Sequence, residues 1–240
     1  MRTVLVINSK GGCGKTTIAT NVASCFAAQR AKTAIMDYDP QGSSLNWLRT
    51  RAHQYPRIHG ANAAPQRGTL IRSLQMSVPS DTDVLIIDAP AGAKGILLQE
   101  IVRRAEFVIV PVAPSSIDVH ATADFLKDLL LVGRIRTRNT KVAVVANRVR
   151  NSMPVYEPLE RFLRSLSLPF LAHISDSDHY IQAAEKGLGV FEMDPSVAEA
   201  ERREFQPIIN WLDVRVPDRR TEVGRKIIDI AAVRRFATLS

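Results

Sequence analysis

Two lysines bracket three glycines in SKGGCGKTT, residues 9–17. A glycine-rich turn that ends in Gly-Lys-Thr fits the phosphate-binding P-loop pattern. The glycines let backbone N–H groups converge on a phosphate chain, and the helix that opens behind them adds a partial positive charge. On that chemistry Gly11, Gly12, Cys13 and Gly14 form the cradle and Lys15 reaches the β- and γ-phosphates. The Thr16 hydroxyl ligates Mg2+, and Thr17 contacts the α-phosphate. Cys13 fills a variable position of the loop and is expected to have no redox role. Lys10 is then surplus: one lysine is enough to hold a phosphate, so the earlier one needs a separate task.

A P-loop also needs a carboxylate at a neighbouring strand end to organise its metal. Asp88 closes the apolar run VLIID and meets that need. A second acidic strand end, MDYDPQGS, supplies Asp37 and Asp39. In a parallel sheet such strand ends share one edge, the edge where loops bind ligands. Asp37 reads equally well as a turn-former or helix cap. Asp39, followed by Pro-Gln-Gly, fits a catalytic loop better than a plain turn.

The elements that must place these groups alternate along the chain. Apolar runs at 3–8, 32–39, 83–90, 106–114, 140–148 and 168–174 predict strands, the first of them buried on both faces. Helices are expected near 14–29, 67–76, 95–104, 118–132, 155–166, 177–186 and 195–212. The fold class is therefore α/β: a single-domain P-loop NTPase with a mostly parallel twisted sheet, flanked by helices on both faces. Residues 1–213 are expected to form that domain. Residues 214–240 form a basic C-terminal extension, helical in part.

The 240 residues are 45% hydrophobic and 23% charged, as in an ordinary soluble globular chain. No apolar run approaches a membrane span, and the N-terminus enters a strand without the features of a signal peptide. Two cysteines, Cys13 and Cys25, are too few for a disulfide framework or a metal cluster, which suits a reducing cytoplasm. The formal net charge of +8 favours a polyanionic partner, either nucleic acid or an anionic membrane.

KGGCGKTT, DYDPQGS and LIIDAPAG together resemble the deviant Walker A, A′ and B motifs of the ParA/MinD family of ATPases. VIVPVAPSSIDVHATADFL (108–126), VANR (145–148) and AAEKGLGVFEMDP (183–195) extend the likeness over about residues 3 to 212. The resemblance implies Mg2+-dependent ATP hydrolysis in a homodimer that sandwiches ATP. It implies that Lys10 reaches across to the partner copy's phosphates and that Asp39 orients the attacking water. Thr16, Asp39 and Asp88 then serve the metal. It further implies adenine contacts from Asn147 and from the loop after Ile174. There the chain departs from the family: members often carry an arginine in that loop, and this chain reads ISDSDHY.

Within the family, DPQG favours the ParA branch, whose members bind DNA non-specifically and position cargo on the nucleoid. A ParB-like or other small basic partner stimulates their hydrolysis. The charge distribution agrees. Residues 40–80 hold Arg49, Arg51, Arg57, Arg67 and Arg72 with no acid, and residues 134–150 hold six basic residues with no acid. Further arginine pairs lie at 202–203, 219–220 and 234–235. Such patches suit sequence-independent, salt-sensitive phosphate contacts. With a strand starting at residue 3, no N-terminal operator-reading helix-turn-helix is expected. The expected location is cytoplasmic and nucleoid-associated, with DNA rather than membrane as the partner.

The alternative is a MinD-like membrane-cycling ATPase using the tail, whose RKIIDIAAVRRFATL lacks one clean apolar stripe. A metabolic P-loop enzyme related to dethiobiotin synthetase ranks lower, for want of an identifiable small-molecule pocket. A relative of the nitrogenase iron protein fails on the cysteines.

Overall fold

Alternation along one strand decides the layering. β1 (Arg2–Val6) sends Val4 and Val6 into one apolar cluster; Leu5 and, just past the strand, Ile7 enter a second cluster on the opposite face. A strand with period-two side chains and both faces apolar must be covered twice. The first face is covered by α1 (Lys15–Ala28), through Ile18, Val22 and Phe26, and by α7 (Glu199–Leu212), through Phe205, Ile208 and Leu212. The second is covered by α3 (Gly95–Arg104), α4 (Ser116–Val132) and α5 (Tyr156–Ser165), through Leu98, Ile101, Leu126, Leu129, Leu159 and Leu163. Each such side chain, taken fully out of water, contributes about 1.5–3 kcal/mol.

The structure is a computed structural model that describes residues 1–64, 78–132, 140–150, 156–166 and 168–213. The helix expected near 67–76, Arg67, Arg72, the basic residues at 134, 136 and 138, and the extension 214–240 lie outside the described residues.

The remaining strands are β2 (Thr33–Asp37), β3 (Ile58–Asn62), β4 (Val84–Asp88), β5 (Phe107–Val112), β6 (Lys141–Val149) and β7 (Phe170–Ser175). They form one seven-stranded sheet in the order β3-β2-β4-β1-β5-β6-β7, and every pairing is parallel. β1 is central. Chain order departs from it in both directions, which makes the crevice beyond its C-terminal end a topological switch point. Register places Val6 beside Asp88 and Asp37 beside Asp88, so the acidic strand ends meet at that crevice.

Two elements were not anticipated from the sequence. α2 (Ser43–Thr50) follows the Asp39 loop, and β3 adds an edge strand beside β2. β3 reads IHGAN and buries only Ile58 and Ala61, too little apolar signal for a strand. α2 begins at Gly42 in a left-handed conformation (φ +63°), with no capping side chain next to it to announce a helix. α6 (Asp178–Glu185) follows β7, and a single 3-10 turn spans Val190–Glu192. No described helix is long and apolar enough to cross a membrane.

Candidate functional site

The loop between β1 and α1 needs its glycines for two separate reasons. Gly12 and Gly14 hold φ at +77° and +87°, values that strain any residue with a side chain. A Cβ on Gly14 would also sit 1.9 Å from Asn147 Nδ2. The strict pattern asks for one more glycine five positions before Gly14, and this chain has Ser9 there. The Ser9 carbonyl accepts a hydrogen bond from Gly92 N at 2.9 Å, which ties the segment after β4 to the cradle. Gly14 has no side chain to cap α1, so the first-turn N–H groups are available to an anion.

Both lysines belong to this loop. Lys15 is buried, 8% exposed, and its ammonium donates to the Lys10 carbonyl at 2.9 Å. That bond draws the helix lysine back across the loop and fixes Lys10 at the loop's entry. Asn8, which the sequence reading passed over, anchors the same entry. Its amide donates to Pro111 O at 2.7 Å and to Thr122 Oγ1 at 3.1 Å, while its Oδ1 accepts from Lys10 N at 3.3 Å. The signal for it was an asparagine closing an otherwise apolar strand run, a costly place for an amide unless it is fully hydrogen-bonded.

Thr16 Oγ1 donates to Asp88 Oδ2 at 2.9 Å. Asp88 is 1% exposed, and burial pushes its carboxyl up to about 7, with the neighbouring Asp37 adding to the rise. Thr16 and Lys15 pull the other way. A hydroxyl and a carboxylate are the hard oxygen donors that Mg2+ takes, usually one or two per protein, the remainder coming from phosphate and water. Among the described residues no three or more His, Cys, Asp or Glu side chains gather into a metal cage. The donor set therefore fits a cation shared with a phosphate ligand, and the glycine cradle fits the phosphate itself.

Asp37 is the helix cap that one reading of the sequence allowed. Its Oδ2 accepts from Ser44 N (3.1 Å), Ser44 Oγ (2.7 Å) and Leu45 N (3.3 Å), the first-turn donors of α2. Its Oδ1 accepts from Asp39 N at 2.9 Å. One buried carboxylate thus caps α2 from a distance and holds the Asp39 loop. Asp39, half-buried, accepts from Gln41 N at 2.9 Å. Ser44 had no sequence signal, because its partner lies on the preceding strand.

Asn147 is 2% exposed and donates to Cys13 O at 2.8 Å. The amide expected to meet adenine is thus brought to the cradle and engaged with its backbone. The loop after Ile174 turns to α7. Ser175 N, Ser175 Oγ and Tyr180 OH all reach Glu204 Oε2 at 2.8–3.1 Å, and Ser177 Oγ and His179 Nδ1 meet Glu201 Oε1 at 2.6 and 2.8 Å.

Two arginines counted toward basic patches are engaged within the chain. Arg51 donates to Glu192 Oε2 at 2.7 Å and to Gly187 O at 2.9 Å, and it stacks over Trp47 and Tyr55. Arg202 donates to the carbonyls of Val190, Phe191 and Met193. Arg49 and Arg57 remain on the surface.

The family model described as the CobQ/CobB/MinD/ParA nucleotide binding domain matches residues 4–190. Over 196 residues the chain is 26% identical to maintenance of carboxysome distribution protein A of Halothiobacillus neapolitanus, covering 80% of this chain and 87% of that one. In fold it is similar to a putative plasmid partition protein of Borrelia burgdorferi bound to AMPPNP, with TM-score 0.64 and 15% identity over 87% of this chain and 98% of that one. It is equally similar to the septum site-determining protein MinD of Pyrococcus horikoshii complexed with Mg-ADP, with TM-score 0.64 and 16% identity over 88% and 96%. With a matched model over most of its length and the glycine cradle in place, this chain belongs to the CobQ/CobB/MinD/ParA family of nucleotide-binding domains.

Proposed function

We propose that the protein is a ParA-type ATPase that positions or segregates a cargo on the nucleoid. Two copies close face to face on two ATP molecules, and the closed dimer binds DNA without reading its sequence. Hydrolysis, stimulated by a ParB-like or other small basic partner, releases it. The observation that carries the reading is the Thr16–Asp88 hydrogen bond of 2.9 Å at the mouth of a cradle whose own lysine is buried beside it. A hydroxyl and a carboxylate beside a glycine cradle support a reading in which metal and phosphate share one site. A relative named for carboxysome distribution, matched over 80% of this chain, supports a positioning role.

Backbone N–H groups from Gly11 to Thr17 hold the phosphate chain, and the Lys15 ammonium meets its β- and γ-oxygens. Thr16 and Asp88 would hold Mg2+, with Asp39 in its surroundings, and the cation would supply charge neutralisation to the phosphates. Asp39, fixed from Asp37, orients the water that attacks the γ-phosphorus. The bond to the bridging oxygen breaks, and the water's proton leaves with the phosphate. Lys10, at the entry of the loop, neutralises the terminal phosphate held by the facing copy, the task an arginine finger performs elsewhere. Asn147 supports the cradle next to the base.

The test is DNA binding with ATP, with ADP and without nucleotide, over a range of salt. Tight, salt-sensitive binding with ATP alone is expected; equal affinity in all three conditions contradicts the switch. Flotation on anionic liposomes with ATP, lost on removal of residues 214–240, is the result that would favour the membrane-cycling alternative instead.

A further inference from the structure

Arg148 has a backbone φ of +58°, a left-handed value that residues with side chains rarely adopt. It sits where the pairing of β6 with β7 slips, between Ala146 and Val149. Irregularities of this kind re-aim a side chain, and strain held at a strand end is a pointer to function. The two polar residues around it are committed. Asn147 bonds the cradle at Cys13 O (2.8 Å), and Arg150 Nε bonds Asp176 Oδ2 in the loop after β7 (2.8 Å). The Arg148 side chain is exposed and makes no hydrogen bond, ion pair or ring contact among the described residues.

The sheet order says which flank the base occupies. Asp88 lies one strand to one side of β1, with Asp37 and the Asp39 loop beyond it; Asn147 lies two strands to the other side. Metal and terminal phosphate belong with the carboxylates, so the nucleoside leaves the cradle toward the ends of β6 and β7. A cavity of about 310 Å³ lies between α1, α2 and α6, bordered by Thr16, Ser43, Asn46 and Glu185. The loop after β7 reads SDSDHY, without an arginine, and its hydroxyls turn to Glu201 and Glu204. Among the described residues at the ends of β6 and β7, the uncommitted guanidinium is that of Arg148.

We propose that Arg148 is a specificity-determining residue whose planar guanidinium stacks on the purine of the bound nucleotide. The proposal rests on the ATP reading above. A guanidinium suits the task because it is flat, always charged and weakly hydrated, and an aromatic face attracts it.

Arg148→Gly separates this role from folding, since glycine accepts the left-handed backbone without strain. Without ligand the variant is expected to melt at or above the wild-type temperature. It should bind ATP about tenfold more weakly in calorimetry, while binding inorganic tripolyphosphate as wild type does. Lys15→Ala should lose both ligands. Wild-type ATP affinity in Arg148→Gly, with binding lost in Lys15→Ala, overturns the proposal and leaves the ATP reading standing. Equal weakening toward ATP and tripolyphosphate also overturns it, because the arginine then serves phosphates. Failure of the unaltered protein to bind ATP removes the reading and the proposal together.

Discussion

Asp37 and Asp88 are register partners at the ends of neighbouring parallel strands, and both side chains are excluded from solvent. Their surroundings differ. Asp37 accepts hydrogen bonds from Asp39 N, Ser44 N, Ser44 Oγ and Leu45 N. Asp88 is pushed up to about 7 by burial and by Asp37. One carboxylate is built into the scaffold, and its neighbour is left in need of a cation.

That need gives a pH signature in the protein without nucleotide or metal. The ordinary carboxyl value is 3.8, so between there and about 7 the folded chain holds a proton that the unfolded chain has lost. Stability therefore falls as pH rises through that window and is level above it. Asp88→Asn removes the slope. At pH 8 the variant should be more stable than wild type by on the order of 4 kcal/mol, and at pH 4 equal to it, in thermal melts.

Asp37→Ala frees the first turn of α2 and the backbone of Asp39 together. Loss of a buried acceptor with four donors should cost about 3 kcal/mol in urea denaturation. Amide exchange at residues 43–46 should rise first. A variant as stable as wild type, with those amides still protected, would mean that α2 is capped some other way.

How much of this was visible beforehand follows a physical line. β1, β4 and β5 are continuous apolar runs because both faces are buried, and the cradle is written in consecutive residues. α3 begins and ends where its pattern says, Gly95 to Arg104. α7 starts at Glu199 rather than near 195, because Asp194 first builds a turn, its Oδ1 accepting from Ser196 N and its carbonyl from Val197 N. Other features depend on partners far along the chain. Arg51 read as a surface charge because Glu192 lies 141 residues away. Asp37 kept two readings until Ser44 was placed beside it, and the strain at Arg148 leaves no trace in residue types.

The Arg51–Glu192 pair makes its own prediction. The two side chains are 5% and 3% exposed, so removing one leaves the other's charge buried. Glu192→Ala should destabilise by about 3–5 kcal/mol, and adding Arg51→Met should recover part of that loss in chemical denaturation. Additive losses in the double variant would show that the pair is not coupled.

The central claim is that Lys10 works on the nucleotide of the facing copy, and mixing two inactive variants tests it most directly. Lys10→Ala and Asp39→Ala should each lack ATPase activity alone. Mixed one to one and allowed to exchange, half of the dimers are heterodimers with one complete site of two, so turnover should return to about a quarter of wild type. No recovery in the mixture, with heterodimers demonstrated by cross-linking, would place Lys10 on its own phosphates and contradict the account.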